Sequence, residues 1–221
     1  HAGCEAALIS ARSGKETVLL SLDLDKTARM SCNPAIGGPG KSQLVREIDA
    51  LGGEMGKNTD RAALHMRRLN TSKGPAMQIM RAQVDRDKYR REMKRVLETE
   101  DNLRLNEGMV QQLIAESGQI KGVVTREGVK YLAPAVVLTT GTFLKGRVYI
   151  GDTSYPAGRT GEPPARALSD SLEDLGLKVE RMNTDTTPRV NGDTIDFENL
   201  KKQVTADEPF AFSYTSEKKT L

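Results

Sequence analysis

Apolar residues recur with a helical period in four stretches of the chain, and each stretch predicts an amphipathic helix. The first occupies residues 1–14, where alanine, leucine and isoleucine recur at helical spacing and Gly14 is the predicted end. The others occupy residues 41–55, 85–98 and 166–177. The helix at 85–98 carries its apolar side chains on one face and many arginines on the other.

Alternating and continuous apolar runs predict the strands. Residues 17–22 form a short apolar run that predicts a buried strand. Residues 110–114, 120–125 and 129–132 alternate between apolar and polar positions around two glycine turns, which predicts a small antiparallel meander. Residues 135–141 form a continuous apolar run that ends in small side chains, as in a parallel strand whose carboxyl end meets a ligand.

A helix of small residues that opens with a glycine and leads into a buried strand is the second half of a dinucleotide-binding βαβ unit. Gly3 stands where the last glycine of a G-x-G-x-x-G turn is expected, and the strand and glycines that precede it in such units are missing from the sequence. The pattern predicts an α/β, Rossmann-like fold that contains an antiparallel β-meander and lacks its first strand. On this interpretation the chain is a fragment, since a sheet without that strand leaves backbone edges unpaired.

Composition narrows the class of protein. The 221 residues include 37% hydrophobic side chains and no tryptophan, and the mean hydropathy is −0.50. No apolar run approaches the roughly 20 residues of a membrane span, and no signal peptide is recognisable. Two cysteines, Cys4 and Cys32, are too few for a disulfide scaffold or a cysteine zinc cluster. We therefore expect a cytoplasmic protein without a metal site.

Charge is distributed unevenly along the chain. Residues 57–95 hold twelve Lys or Arg against four Asp or Glu, so this segment carries +8 while the whole chain carries +3. Such a concentration is typical of a surface that binds a polyanion such as RNA or a phosphorylated cofactor, although a solvated helix face has the same composition. The candidate RNA-binding residues are Arg90, Arg91, Lys94 and Arg95.

Residues 31–42 hold a thiol, a glycine turn and a lysine directly before a predicted helix. The part from Ala35 to Ser42 is similar to a phosphate-binding P-loop, whose backbone N–H groups and lysine bind a nucleoside triphosphate. A P-loop follows a buried apolar strand, but the residues before this one are mostly polar and include Pro34. The sequence therefore favours a plain turn before a helix over a triphosphatase site.

Several blocks distributed over nearly the whole chain form a specific combination. They are Ser31-Cys32-Asn33-Pro34-Ala35-Ile36-Gly37-Gly38, Asp49-Ala50-Leu51-Gly52-Gly53, Ser72-Lys73-Gly74-Pro75-Ala76, Arg81-Ala82-Gln83, Gly141-Thr142-Phe143-Leu144 and Gly158-Arg159. This combination resembles the MnmG (GidA) family of flavoproteins, which modify the wobble uridine of tRNA.

The resemblance implies an FAD-binding domain of the glutathione-reductase type over residues 1–182 and the start of an inserted second domain over residues 183–221. It implies FAD-dependent modification of the wobble uridine at C5 to the aminomethyl or carboxymethylaminomethyl form, with NADH and methylenetetrahydrofolate as co-substrates. The implied partners are tRNA, a GTPase of the MnmE family in a heterotetramer, and a second copy of the chain in a homodimer. A chain of this extent is expected to be inactive by itself.

The resemblance also assigns site residues. Those implied to bind FAD are His1, Ala2 and Gly3 at the end of the pyrophosphate-binding turn, Val110 on the adenine side, Thr139, Thr140 and Gly141 at a strand end, and Ala165. Cys32 matches a family cysteine near the flavin and is implied to take part in catalysis.

A cysteine thiolate at this position could add to C6 of a uracil ring and make C5 nucleophilic, or it could assist at a flavin. Either role requires a nearby cation or helix N-terminus, and Lys41 with the helix after it is the candidate. The alternative is that Cys32 is a small buried apolar residue, the commoner role of a free cysteine. The chain departs from the family pattern at residues 63–67 and at 185–189, where Asp185 replaces a glycine, and this leaves substrate handling there open.

Two other functions remain open on the sequence. A folate- and FAD-dependent tRNA uridine methyltransferase shares the fold and the flavin, although no comparable match to its motifs is present. A noncatalytic RNA-binding fragment would use the basic segment without chemistry. Flavin absorbance separates these cases, because both enzymes retain FAD and the RNA-binding fragment does not.

Overall fold

The computed structural model describes residues 1–205 and 209–218. Its helices and strands are α1 (Ala2–Arg12), β1 (Thr17–Ser21), β2 (Ala35–Gly37), α2 (Ser42–Ala50), α3 (Met55–Ala62), β3 (Ala63–Leu69), β4 (Ile79–Val84), α4 (Arg86–Thr99), β5 (Leu103–Glu107), β6 (Val110–Glu116), β7 (Gln119–Thr125), β8 (Lys130–Leu132), β9 (Arg147–Ile150), β10 (Thr153–Pro156) and α5 (Ala167–Asp174).

The chain divides into two compact units, each made of segments that are distant in sequence. The β1–β5 unit comprises residues 2–27 and 101–183. The β2–β4 unit comprises His1, residues 28–100 and the described residues from Thr184 onwards.

A parallel pair of strands forms the centre of the β1–β5 unit. β1 and β5 pair in register, from Thr17 opposite Leu103 to Ser21 opposite Glu107. Helix α1 buries its small and apolar face and contacts β1. The helix ends before Gly14, which adopts a φ of +76°, so the predicted helix and its glycine stop are confirmed.

The predicted antiparallel meander is also confirmed. β6 pairs with β7, and β7 pairs with β8. Ser117 and Gly118 both have positive φ at the first turn, the backbone form that matches the twist of two hairpin strands. The meander packs against α5, and the buried residues of this core are Leu113, Val123, Ala165, Leu168 and Leu172.

The apolar run at residues 135–141 differs from its prediction, because no strand of the described chain pairs with it. Val137 is 71% exposed and Leu138 is 39% exposed. A strand is stabilised by ladder hydrogen bonds to a neighbour. An apolar run has the same sequence pattern with or without a neighbour, so the pattern predicted a strand that the pairing does not support.

The β2–β4 unit contains a three-stranded antiparallel sheet in the order β2–β4–β3. Helix α4 begins after Asp85, whose carboxylate accepts two N–H groups of the first turn. Tyr89, Met93 and Leu97 are buried on its inner face, as predicted, while Val96 is half-buried.

Helix α3 is not predicted from the sequence, because polar residues occupy its inward positions. Asn58 and Thr59 both have 0% of their surface exposed. Nδ2 of Asn58 donates to the carbonyl oxygen of Tyr89 at 2.9 Å, and Oγ1 of Thr59 donates to that of Met55 at 2.7 Å. Hydrogen-bonded polar side chains can therefore take core positions that an apolar period would otherwise mark.

Two carboxylates of α2 and α3 bind the last part of the described chain. Asp60 accepts the N–H groups of Phe212 and Ser213 at 2.7 and 2.9 Å. Asp49 accepts the N–H of Tyr214 at 2.8 Å. Hydrogen bonds to a charged acceptor are the stronger kind, so these contacts fix the segment against the two helices.

The predicted second domain, residues 183–221, includes 206–208 and 219–221, which lie outside the described residues. Its boundary stays a prediction. No helix in the described ranges is long and apolar enough to cross a membrane.

Candidate functional site

A cleft of about 370 Å³ opens at the carboxyl ends of the parallel strands β1 and β5. This is the edge at which α/β sheets bind their ligands, and the volume suits a small molecule. The residues that line it are Leu22, Asp23, Lys26, Glu107, Gly108, Met109, Thr125, Arg126, Glu127, Val129, Tyr131, Gly161, Glu162 and Pro163.

Two carboxylates stand at the ends of the two strands in this cleft: Asp23 lies two residues after β1, and Glu107 is the last residue of β5. Asp23 pairs with Lys26 at 2.9 Å and also accepts the N–H of Asp25, and the hydrogen bond from Lys26 lowers the pKa of Asp23. Within residues 1–205 and 209–218, the side chain of Glu107 accepts one hydrogen bond, a long one from the N–H of Leu24 at 3.5 Å. Glu107 therefore retains acceptor capacity for hydroxyl groups of a ligand such as a ribose diol.

Two of the segments predicted to bind a cofactor meet in the structure. Gly3 is the second residue of α1, and a Cβ built on it would lie 2.7 Å from Oγ1 of Thr139. Glycine thus lets the first turn of α1 approach the run at 135–141 closely. The first N–H groups of this helix have no intrahelical acceptor, which makes its start a favourable place for an anion.

The neighbouring predicted residues form a turn. The carbonyl oxygen of Thr140 accepts the N–H of Phe143 at 3.0 Å, and Gly141 between them has a φ of +56°. The left-handed backbone conformation of Gly141 turns the chain, which explains why the apolar run at 135–141 ends at this residue.

Val110 and Ala165 lie in one cluster although 55 positions separate them in the numbering. Ala165 is buried in the core of the β1–β5 unit, and Val110 packs against that core. The backbone of Ala165 bonds to Phe143 and Lys145. Ala165 is therefore joined to the end of the turn at 140–143, while Val110 packs in the core of the same unit.

The glycine turn at residues 37–40 is not a phosphate-binding loop. Oγ of Ser42 accepts the N–H of Gly38 at 2.9 Å and donates to the carbonyl oxygen of Met80 at 2.5 Å. In a P-loop this hydroxyl binds Mg²⁺ and the loop N–H groups bind phosphate. Here the hydroxyl joins the turn to β4, and the N–H groups of Gly38, Lys41 and Ser42 are used within the turn itself. These contacts support the turn that the sequence favours.

Cys32 is half-buried in the loop before β2. Its Sγ–H donates to the carbonyl oxygen of Asp185 at 3.9 Å, and Nη2 of Arg86 donates to the carbonyl oxygen of Cys32 at 3.2 Å. Oγ1 of Thr187 donates to Oδ1 of Asn33 at 2.8 Å. The loop is thus held from two directions while its thiol keeps some access to solvent.

The two cysteines differ in environment. Cys4 is 3% exposed in α1, and burial raises the pKa of its thiol. A buried protonated thiol is a poor nucleophile, so Cys32 is the candidate reactive residue. Among the described contacts, the cation that touches the Cys32 loop is Arg86 and not Lys41, which is exposed.

A family model described as glucose inhibited division protein A matches residues 1–221. The chain belongs to this GidA family. The chain is similar to the tRNA uridine 5-carboxymethylaminomethyl modification enzyme MnmG of Geobacter sulfurreducens, with 53% identity over 218 residues, 99% of this chain and 35% of that protein. MnmG of Bacillus subtilis is 52% identical over 214 residues, 97% of this chain and 34% of that protein.

The solved structure of GidA from Aquifex aeolicus matches the chain with a TM-score of 0.93 and 47% identity, over 98% of this chain and 36% of that one. The predicted fold class, a mixed α/β arrangement with an antiparallel meander, is therefore confirmed as that of the corresponding part of GidA. The chain spans about a third of the length of the GidA relatives it matches.

The residues of this GidA chain that line the cleft are not predicted from its sequence. Asp23 follows an apolar run and Glu107 ends a short mixed segment, and only the parallel pairing of β1 with β5 puts the carboxyl ends of the two strands side by side. β5 is short, and its apolar and polar residues alternate only weakly, so the sequence pattern does not predict this strand. The sequence did contain one signal for the cleft. Asp23 is an acidic residue close after a strand, and that strand follows a helix that opens with a glycine.

The segment at residues 185–189, where the sequence departs from the pattern described above, contacts the Cys32 loop. Asp185 contributes its carbonyl oxygen and Thr187 its hydroxyl. The segment at 185–187 therefore helps to fix the conformation of the Cys32 loop.

The remaining predicted residues lie elsewhere. His1 precedes α1, and its ring meets the ring of Tyr89 edge-on at 5.9 Å; Ala2 and Gly3 are the first residues of α1. On α4, Lys94 pairs with Glu98 and Arg95 pairs with Glu92; the four basic residues predicted to bind RNA there are Arg90, Arg91, Lys94 and Arg95. No cluster of three or more His, Cys, Asp or Glu in the described part of the chain could hold a metal ion.

Proposed function

We propose that the complete protein that contains this chain is an FAD-dependent enzyme that modifies C5 of the wobble uridine of tRNA to the carboxymethylaminomethyl form. The observation that carries the proposal is the 53% identity, over 99% of the chain, to a protein named for that modification. Because the chain spans 35% of that relative, the activity is assigned to the complete protein and not to this chain alone.

The residues of the β1–β5 unit fit FAD, which membership of the GidA family implies. Gly3 provides a cradle that a side chain would fill, since a Cβ there would lie 2.7 Å from Thr139. The start of α1 offers N–H groups to a pyrophosphate, and Glu107 offers a carboxylate to ribose hydroxyls. When bound, FAD supplies a carrier for two electrons.

The chain's own residues then have distinct tasks. The first turn of α1 binds and orients the phosphate groups, the cleft at β1 and β5 excludes water from the ligand, and Cys32 supplies the thiol, either to the uracil ring or at the flavin. NADH and methylenetetrahydrofolate are the proposed co-substrates. The proposed partners are tRNA, a GTPase of the MnmE family and a second copy of the chain, and the proposed compartment is the cytoplasm, where cysteines stay reduced.

The test is reconstitution of the complete protein with the GTPase, tRNA, NADH and methylenetetrahydrofolate, plus ammonium or glycine. We expect a yellow protein with flavin absorbance, and an aminomethyl or carboxymethylaminomethyl uridine by mass spectrometry of the digested tRNA. Methylated uridine would instead identify the methyltransferase. A colourless protein that binds tRNA would favour the noncatalytic RNA-binding function.

Replacing Gly3 with valine is expected to weaken FAD binding about 10-fold, because the branched side chain meets Thr139 and pushes the first turn of α1 away from the phosphates. FAD content and the dissociation constant measure the effect. Ile9→Ala is the matched control, because Ile9 is 50% exposed on the same helix. Retention of FAD by Gly3→Val at the control level would contradict the assignment of this turn.

Replacing the four basic residues of α4 with alanine is expected to lower tRNA affinity and the steepness of its salt dependence, as loss of phosphate contacts does. The residues are Arg90, Arg91, Lys94 and Arg95. The matched control removes four exposed lysines outside α4: Lys121, Lys130, Lys201 and Lys202. Equal salt slopes for the two variants would exclude α4 as an RNA contact.

A further inference from the structure

A second cavity in the β1–β5 unit is lined mainly by cations. It has a volume of about 330 Å³ and lies where the β9–β10 hairpin meets the start of α5. The residues that line it are Lys145, Gly146, Arg147, Pro156, Arg166 and Arg181. No carboxylate belongs to this lining, and none of these residues belongs to the cleft at β1 and β5. We call it the basic pocket.

Two arginines of the basic pocket are oriented by uncharged acceptors. Nε and Nη2 of Arg147 donate to Oγ of Ser154 at 3.1 and 2.8 Å. Nη1 of Arg181 donates to the carbonyl oxygen of Lys145 at 3.1 Å. A hydroxyl or carbonyl oxygen fixes a guanidinium without cancelling its charge, whereas a carboxylate would neutralise it. Each guanidinium has five donors, so further donors are left for an anion.

The backbone just before Arg147 is strained at Lys145. Lys145 has a φ of +48°, in the left-handed region that lysine seldom adopts. Gly146 follows it, and a Cβ on Gly146 would lie 2.2 Å from the carbonyl oxygen of Thr142. Such strain is concentrated at functional sites. The ammonium of Lys145 pairs with Asp170 at 2.6 Å, so the arginines supply most of the charge available to a ligand.

The same hairpin carries an exposed aromatic side chain. Tyr149 is 67% exposed, and the guanidinium of Arg147 lies 6.0 Å from the centre of its ring. An exposed ring beside cations is the arrangement with which proteins stack an unpaired base and bind the adjacent phosphates of single-stranded RNA. A small phosphorylated cofactor would not require an exposed ring outside the pocket.

We propose that the basic pocket binds a backbone phosphate of the tRNA, next to an unpaired base that stacks on Tyr149. The assignment rests on the proposed function and adds to it an RNA contact separate from α4. The pyrophosphate of FAD could bind the same cations. The experiment distinguishes it from a tRNA phosphate by measuring FAD retention and tRNA affinity on the same variant.

The experiment measures tRNA affinity of the complete, FAD-loaded protein over a series of salt concentrations. The variant is Arg147→Ala with Arg181→Ala. The matched control is Arg104→Ala with Lys121→Ala. It also removes two positive charges, but from exposed positions outside both cavities. We expect the variant to bind tRNA about 10-fold more weakly at low salt, with a salt slope smaller by about 2, and to keep its FAD.

A second variant, Arg147→Lys with Arg181→Lys, keeps the charges and is expected to keep the salt slope. The proposal is overturned if the alanine variant equals its control, if it loses FAD, or if the lysine variant loses as much slope as the alanine variant. Each of these outcomes overturns the pocket assignment alone when the wild-type protein, tested in parallel, modifies tRNA. If wild-type protein neither binds nor modifies tRNA, the proposed function itself fails and this assignment fails with it.

Discussion

Replacing Cys32 with serine is expected to slow the proposed modification of the wobble uridine by the complete protein about 100-fold or more. A serine hydroxyl has nearly the size of the thiol but stays protonated at neutral pH, so it is a much weaker nucleophile. The hydroxyl can still donate to the carbonyl oxygen of Asp185, and the hydrogen bond from Arg86 goes to the backbone of residue 32. The loop is therefore expected to keep its conformation while the chemistry is lost.

The measurements for this prediction are the single-turnover rate with tRNA and the FAD content of the same preparation. FAD content is expected to stay near that of wild type. Cys4→Ala is the matched control, because Cys4 is buried in α1 and the pKa of its thiol is raised, and we expect it to keep activity. Equal losses of FAD and activity in Cys32→Ser would make Cys32 structural, and unchanged activity would remove it from the reaction.

Elements whose side chains alternate between water and a core could be predicted from the sequence. The inward face of α4 illustrates this, since Tyr89, Met93 and Leu97 recur at helical spacing and are buried. The meander is a second case, because each of its strands carries its own alternation and its own turn. In both elements the decisive pattern lies within a few residues of sequence.

Contacts between distant segments could not be predicted in this way. Arg86 meets the backbone of Cys32 from a helix 54 positions away, and nothing in the sequence around either residue marks the pair. Helix α3 was missed because Asn58 and Thr59 fill its core positions and donate hydrogen bonds to backbone carbonyl oxygens there. The basic pocket likewise needs the fold, since its arginines come from three separate segments.

The glycine turn at 37–40 shows how a local pattern can be ambiguous. Its sequence is compatible with a triphosphate-binding loop, and only the contacts of Ser42 with Gly38 and Met80 show that the turn is joined to β4. Gly37 is therefore needed for a close approach to the backbone of β4, whereas Gly38 and Gly40 supply left-handed backbone in the turn.

Replacing Gly37 with alanine is expected to lower the local stability of the β2–β4 pairing by about 3 kcal/mol, the sum of overpacking and a left-handed backbone. The new Cβ would lie 2.4 Å from the carbonyl oxygen of Met80 and 2.8 Å from Oγ of Ser42, at a φ of +95°. The oxygen of Met80 belongs to the backbone of β4, so it cannot move without disturbing the sheet. Hydrogen exchange of the β4 amides in the complete protein is expected to become about 100-fold faster.

Gly40→Ala is the matched control for this substitution. Gly40 also has a positive φ, +72°, but a Cβ there would have no atom within 4 Å. Its replacement costs only the left-handed conformation, about 1 kcal/mol. The difference between the two variants therefore isolates the contact with β4, and equal exchange rates would contradict the tight joint that Ser42 and Gly37 form with that strand.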